Sequence, residues 1–292
     1  VSEKGSFIER NHFLFRRLHS LSGIVPIGVF LIIHLLTNSS VIWGKLGLRE
    51  AGVGKGFTEG GTTYFWEEVR WINTQIPHLL LTEILLWSAI AFHSVLGFYY
   101  ATTASKNTEQ YPYMGNRRYL LQRISGYFGI AFIFYHVATL RWGWSFLVPG
   151  GTKWSAEFAS STLAATLRGG EQYTAMGVAV SLFYFLGVSL LVFHFANGLW
   201  TAAIRWGLTV SRRAQVRWGY VCAAIGITML AWGWSGVVGF AMLRPSEIRE
   251  IELKLSGEGA RETKASERAE PVADASGEPG APGVTGAERS GG

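Results

Sequence analysis

Five long apolar runs, at roughly residues 20–42, 77–102, 119–140, 175–203 and 218–243, constrain this 292-residue chain more than any other feature. A run of about 20 apolar residues crosses a hydrocarbon core of about 30 Å as a helix rising 1.5 Å per residue. None of the runs breaks into segments of about ten residues with alternating polarity, as a membrane barrel would require. The expected fold is an all-α membrane protein, a bundle of five transmembrane helices. Polar and charged residues precede the first run, so no cleavable signal is expected there.

The charges gather between the runs. From Arg244 onward the chain holds 7 of its 26 basic and 10 of its 20 acidic residues, leaving 19 against 10, or +9, for residues 1–243. That excess lies in loops between membrane spans, where it sets topology, so nucleic acid is not an expected partner. The segment up to Ser20, the loop 106–118 and the loop 205–217 carry 11 Lys or Arg; the alternate loops 43–76 and 141–174 carry seven. The positive-inside bias puts the amino terminus in the cytoplasm and the C-terminal tail outside. Residues 244–292, rich in Glu, Gly, Ala, Pro and Ser, are expected to form a low-complexity, disordered tail after a 1–243 membrane domain.

Four of the seven histidines lie well inside apolar runs, one each in the first four, His34, His93, His136 and His194, while His78 stands at the edge of the second. Ionisable residues at such depth mark cofactors or ion routes. Counting from the flanking basic residues at 1.5 Å each puts His34 about 26 Å from Arg17 and His136 about 27 Å from Arg118. His93 lies about 20 Å from Lys106 and His194 about 17 Å from Arg205. The histidines thus form an outer pair, His34 and His136, and an inner pair, His93 and His194. Two opposed imidazoles per layer suit axial ligation of a haem iron in a bundle core. The single cysteine, Cys222, excludes covalent haem attachment through two cysteines and a cysteine-ligated iron-sulfur cluster, so haem would be held without a covalent bond.

Two short patterns recur. Phe92-His93 and Phe193-His194 each precede a glycine, Gly97 and Gly198, in the form F-H-x-x-x-G. HSLSGIV before His34 and QRISGYF before His136 place Ser22-Gly23 and Ser125-Gly126 at matching helix ends. Small residues there either let helices approach closely or leave room for a porphyrin edge.

At these residues the sequence resembles the dihaem cytochrome b anchors of succinate:menaquinone oxidoreductases, in the single-chain form with five transmembrane helices. The segments that carry the likeness are FRRLHSLSGIVPIGVFLIIHLL, FHSVLGFYYA, LQRISGYFGIAFIFYHV and VFHFANGLWTAAIRWGLTVS, within a span from about Phe15 to Met242. The resemblance implies two stacked, non-covalent b-type haems, the inner ligated by His93 and His194 and the outer by His34 and His136. It implies a multi-pass protein of the cytoplasmic membrane, surrounded by lipid, with a FAD-containing flavoprotein and an iron-sulfur subunit as cytoplasmic partners. Menaquinone would be reduced near the outer haem, and the succinate site would lie on another chain.

Glu83, about 15 Å along its helix from His93, is the sole acidic residue within the five runs, and His78 lies five residues earlier. A carboxylate there is a candidate for quinone-linked proton transfer, against the alternative of a solvated helix-end residue; His78 is the weaker candidate. Arg16, Arg17, His19, Ser22 and Arg123 are candidates for haem propionates or for contact with the iron-sulfur partner, and membrane anchoring competes for the arginines. Trp142, Trp144, Trp200 and Trp206 read as interfacial belt. Two other functions compete. One is the anchor of a fumarate reductase or another respiratory oxidoreductase; the other is a haem-free proton-coupled transporter.

Overall fold

The computed structural model describes residues 7–44, 57–75, 79–103 and 114–257, and all regular structure among them is helical. A single turn, α1 (Phe7–Arg10), leads into α2 (His12–Ile24) and α3 (Pro26–Trp43). Pro26 has no amide hydrogen, so the bond that would tie position 26 to the Ser22 carbonyl is missing, and the chain divides there into two helices. Then come α4 (Phe57–Gln75), α5 (Leu79–Thr103) and α6 (Met114–Leu140). Two 3-10 turns at 145–151 lead to α7 (Ala159–Arg168), and α8 (Ala175–Arg205), α9 (Arg212–Met242) and α10 (Pro245–Ser256) complete the order.

Among the described residues four stretches are long and apolar enough to cross a membrane: His12–Trp43, Leu80–Thr103, α8 and α9. The expected fifth span, α6, has 27 residues but carries Arg117, Arg118 and Arg123 in its first half, which lowers its apolarity. It packs against α8 within the same bundle. The outward faces are strongly apolar, with Leu81, Ile84, Leu182 and Ile227 all exposed, as lipid-facing surface requires.

The connections at 57–75 and 159–168 and the segment after α9 meet at one end of the bundle. There α4, α7 and α10 pack on one another and on α3, α8 and α9. Phe65, Leu163, Leu167, Phe240 and Ile248 form their shared core, with the Phe65 and Phe240 rings 4.9 Å apart. Helix α10 differs from the disordered tail expected from Arg244. Pro245 starts it, Gly257 in the left-handed conformation (φ 74°) ends it, and Ile248 and Glu252 are buried. The rest of that segment, 258–292, lies outside the described residues. Glu252 caps α7 from a different helix: its carboxylate accepts from the Ser160 amide at 2.7 Å, from the Ser161 amide and from the Ser161 hydroxyl. Burial pushes the Glu252 carboxyl above its usual range, and the hydrogen bonds from Ser161 and Ser160 and the charge of Arg249 partly offset this.

Candidate haem sites

The bundle places α5 and α8 so that His93 and His194 face each other across a cavity, with ring centroids 6.1 Å apart and planes at 79°. The second pair sits further toward the α4–α7–α10 end, on α3 and α6, where the His34 and His136 centroids are 5.6 Å apart at 87°. Two imidazoles sharing an iron through metal–nitrogen bonds of about 2.0–2.1 Å need centroids roughly 6 Å apart once ring half-widths are added. Both pairs meet that requirement.

The inner pair has a complete surrounding shell. His93 Nδ1 lies 2.9 Å from the His19 carbonyl and 3.3 Å from Ser22 Oγ. His194 Nδ1 lies 3.1 Å from the Gln122 carbonyl and 3.2 Å from Ser125 Oγ. A carbonyl can only accept, so Nδ1 carries the hydrogen and Nε2 keeps its lone pair for a metal. Gly23, Gly97, Gly126 and Gly198 line the cavity, and a Cβ on Gly23 would come within 2.5 Å of His93 Cε1. The donor set and the glycine cradle fit a bis-imidazole haem.

Around the outer pair, Phe30 stacks on His34 and Phe132 on His136. Asn38 Nδ2 is 3.5 Å from His34 Nε2 and donates to the His34 carbonyl at 2.8 Å. The His136 Nδ1 and the buried Tyr184 hydroxyl, on rings 5.8 Å apart, have no hydrogen-bond partner among the described residues. His34 and His136 lie outside the lining of the inner cavity. The donor type and spacing at this layer also fit a haem iron.

The remaining expected residues divide. Arg16, His19 and Arg123 line the cavity, and His19 stacks on His93 at 4.0 Å. It stands one helical turn from Arg16, which lines the same cavity. Ser22 reaches the site through His93, whereas Arg17 packs over Phe13 and Trp206 instead of facing the cavity. Glu83 is held by Arg141 in a two-pronged ion pair, at 3.0 and 3.2 Å, next to an aromatic group in which Trp87 stacks on Trp142. His78 lies outside the described residues. Trp142 and Trp144 are partly exposed beside that ion pair, and Trp206 donates to Ser20 Oγ. Sequence reasoning missed Arg205 and Tyr100 as cavity residues and Gln122 as a partner of His194. The QRISG echo of HSLSG, which sets Gln122 where His19 stands, is the signal that could have found Gln122.

The chain is 30% identical over 228 residues to the succinate dehydrogenase cytochrome b558 subunit of Bacillus subtilis (strain 168), a match covering 78% of this chain and 96% of that protein. This chain belongs to that family. No family model and no solved structure matches it. Membership in the succinate dehydrogenase cytochrome b558 family agrees with the all-helical structure of the described residues and with four paired histidines, three on candidate membrane spans and His136 on α6.

Proposed function

We propose that this chain is the cytochrome b membrane anchor of a succinate dehydrogenase that reduces menaquinone, with His93 and His194 holding an inner b haem and His34 and His136 an outer one. The observation that carries the reading is the stacking of two histidine pairs, each at bis-imidazole spacing, at two depths of one bundle. Haem, when bound, supplies one-electron transfer across the thickness of the membrane. The chain's own groups position and insulate it. Nδ1 hydrogen bonds fix the inner imidazoles, and Arg16, Arg123 and Arg205 at the arginine-rich end of the cavity suit propionate carboxylates.

In this reading α6 is the fifth span and the arginine-rich end faces the cytoplasm. There the anchor meets an iron-sulfur subunit and, through it, a flavoprotein that oxidises succinate. The α4–α7–α10 end faces outward, with residues 258–292 as its tail. Glu83 takes part in proton exchange with quinone at the outer side, and Arg141 holds its carboxylate in place. Purification of the full complex tests the assignment. Two haems per chain by pyridine haemochrome, with a flavoprotein and an iron-sulfur protein co-isolated, are expected. One haem or none overturns the four-histidine scheme, and a haem-free chain that moves protons would be the transporter.

A further inference from the structure

The HSLSG and QRISG echo coincides, atom for atom, with the shell around the inner pair. In both segments residue i offers its carbonyl to the facing imidazole, residue i+3 is serine and residue i+4 is glycine. The serine hydroxyls donate to the same carbonyls, Ser22 Oγ to His19 O at 2.9 Å and Ser125 Oγ to Gln122 O at 3.1 Å. Their lone pairs are then left facing Nδ1 of His93 and of His194. Each carbonyl already faces the i+4 amide and the i+3 hydroxyl, so the imidazole, a third donor, must come in past the i+4 residue. Glycine makes that approach possible: a Cβ would stand 2.5 Å from His93 Cε1 at Gly23 and 3.1 Å from His194 Cε1 at Gly126.

The ligand helices carry the other half of the contact. A Cβ on Gly97, four residues after His93, would meet His19 Nε2 at 3.2 Å; one on Gly198, four after His194, would meet Gln122 Nε2 at 3.8 Å. F-H-x-x-x-G and H/Q-x-x-S-G are therefore complementary halves of one interface made twice, α5 on α2 and α8 on α6.

We propose that His19–Gly23 and Gln122–Gly126 are matched imidazole clamps, whose serines and carbonyls set the tautomer, orientation and donor strength of His93 and His194. The proposal rests on the reading that these two histidines hold the inner haem. Ser22 and Ser125 are positioning residues: each adds a second acceptor for Nδ1–H, which strengthens the imidazole as a donor and favours ferric iron.

The test uses the complete complex. Ser22→Ala and Ser125→Ala are expected to keep both haems, to raise the midpoint potential of the inner haem and to leave the outer one unmoved; threonine at either position restores the parent value. Gly23→Ala is expected to lose more inner haem than Gly126→Ala, and Gly198→Ala to retain both haems. An unchanged inner potential in both alanine variants overturns the clamps, as does loss of haem from Gly198→Ala equal to that from Gly23→Ala. The glycine series decides the matter if the serine variants do not assemble. His93→Ala and His194→Ala are separate controls: retention of the inner haem spectrum in both would reject the haem assignment itself.

Discussion

Replacing Glu83 with glutamine separates a mechanistic role from a structural one, because the two predict effects of very different size. Glu83 and Arg141 form a bidentate ion pair, yet their side chains are 30% and 60% exposed. Pairs so open to their surroundings contribute about 1 kcal/mol or less to stability, so the amide should leave the melting temperature and both haem spectra close to the parent. Loss of a positioned proton donor or acceptor typically slows a proton-coupled step by about 10²–10⁴-fold. If protons join quinone at the outer side while electrons arrive from the cytoplasm, the reaction also draws on the membrane potential, by about 2.3 kcal/mol per 100 mV for each charge moved. The assay is succinate-driven reduction of a menaquinone analogue beside reduction of an artificial acceptor by the same complex. We expect the first to fall by about 100-fold or more and the second to hold. Equal menaquinone rates for Glu83→Gln and parent, with quinone chemistry limiting turnover, would refute the reasoning and leave Glu83 a helix-end partner of Arg141.

Substituting His93 or His194 should perturb the inner haem and substituting His34 or His136 the outer one in a potentiometric titration; swapped phenotypes would reverse the layer assignment. The near-perpendicular rings of both pairs, at 79° and 87°, predict strongly anisotropic low-spin ferric signals by electron paramagnetic resonance, whereas parallel rings would give a rhombic signal. Gly187→Ala would drive a Cβ to 2.2 Å from the Phe132 ring that stacks on His136, so it should disturb the outer haem spectrum and spare the inner. Glu252→Ala leaves two α7 amides without their acceptor and should cost about 1–3 kcal/mol, read as lower protection of α7 in hydrogen exchange; unchanged protection would remove the cap. Since the folded-state Glu252 carboxyl is raised, its contribution to stability is full below the unfolded value of about 4.3 and declines as pH rises through the folded value. Glu252→Gln should flatten that part of the stability profile.

The apolar runs and the histidine deep within each of four of them were legible in the sequence because lipid and ionisable side chains are incompatible without a reason. The pairing of His93 with His194 and of His34 with His136 was legible too, through residue counts from flanking arginines. What escaped was written in polar residues. The run 119–140 read as a fifth span from its apolar residues, whereas the whole of helix α6 carries three arginines in its first half and is not among the four most apolar stretches. Helix α10 was hidden by its composition, although Pro245 and Gly257 bracket it as start and stop signals and Ile248 faces the core. The buried state of Glu252 had no local sign, because its partners lie more than 90 positions earlier. The contact of the His19 ring with His93 had no local sign either, because it depends on how α2 meets α5.

The cap at the end of the bundle joins pieces of chain made at widely separated times. Residues 57–75 emerge early from the ribosome and 159–168 midway. The carboxylate that closes the start of α7 belongs to residue 252, beyond the last long apolar helix. Ser160 and Ser161 therefore have no Glu252 acceptor until α10 has been made. The closed cap thus marks a finished chain, and one stopped before Pro245 would keep all four paired histidines yet lack the acceptor for the first amides of α7.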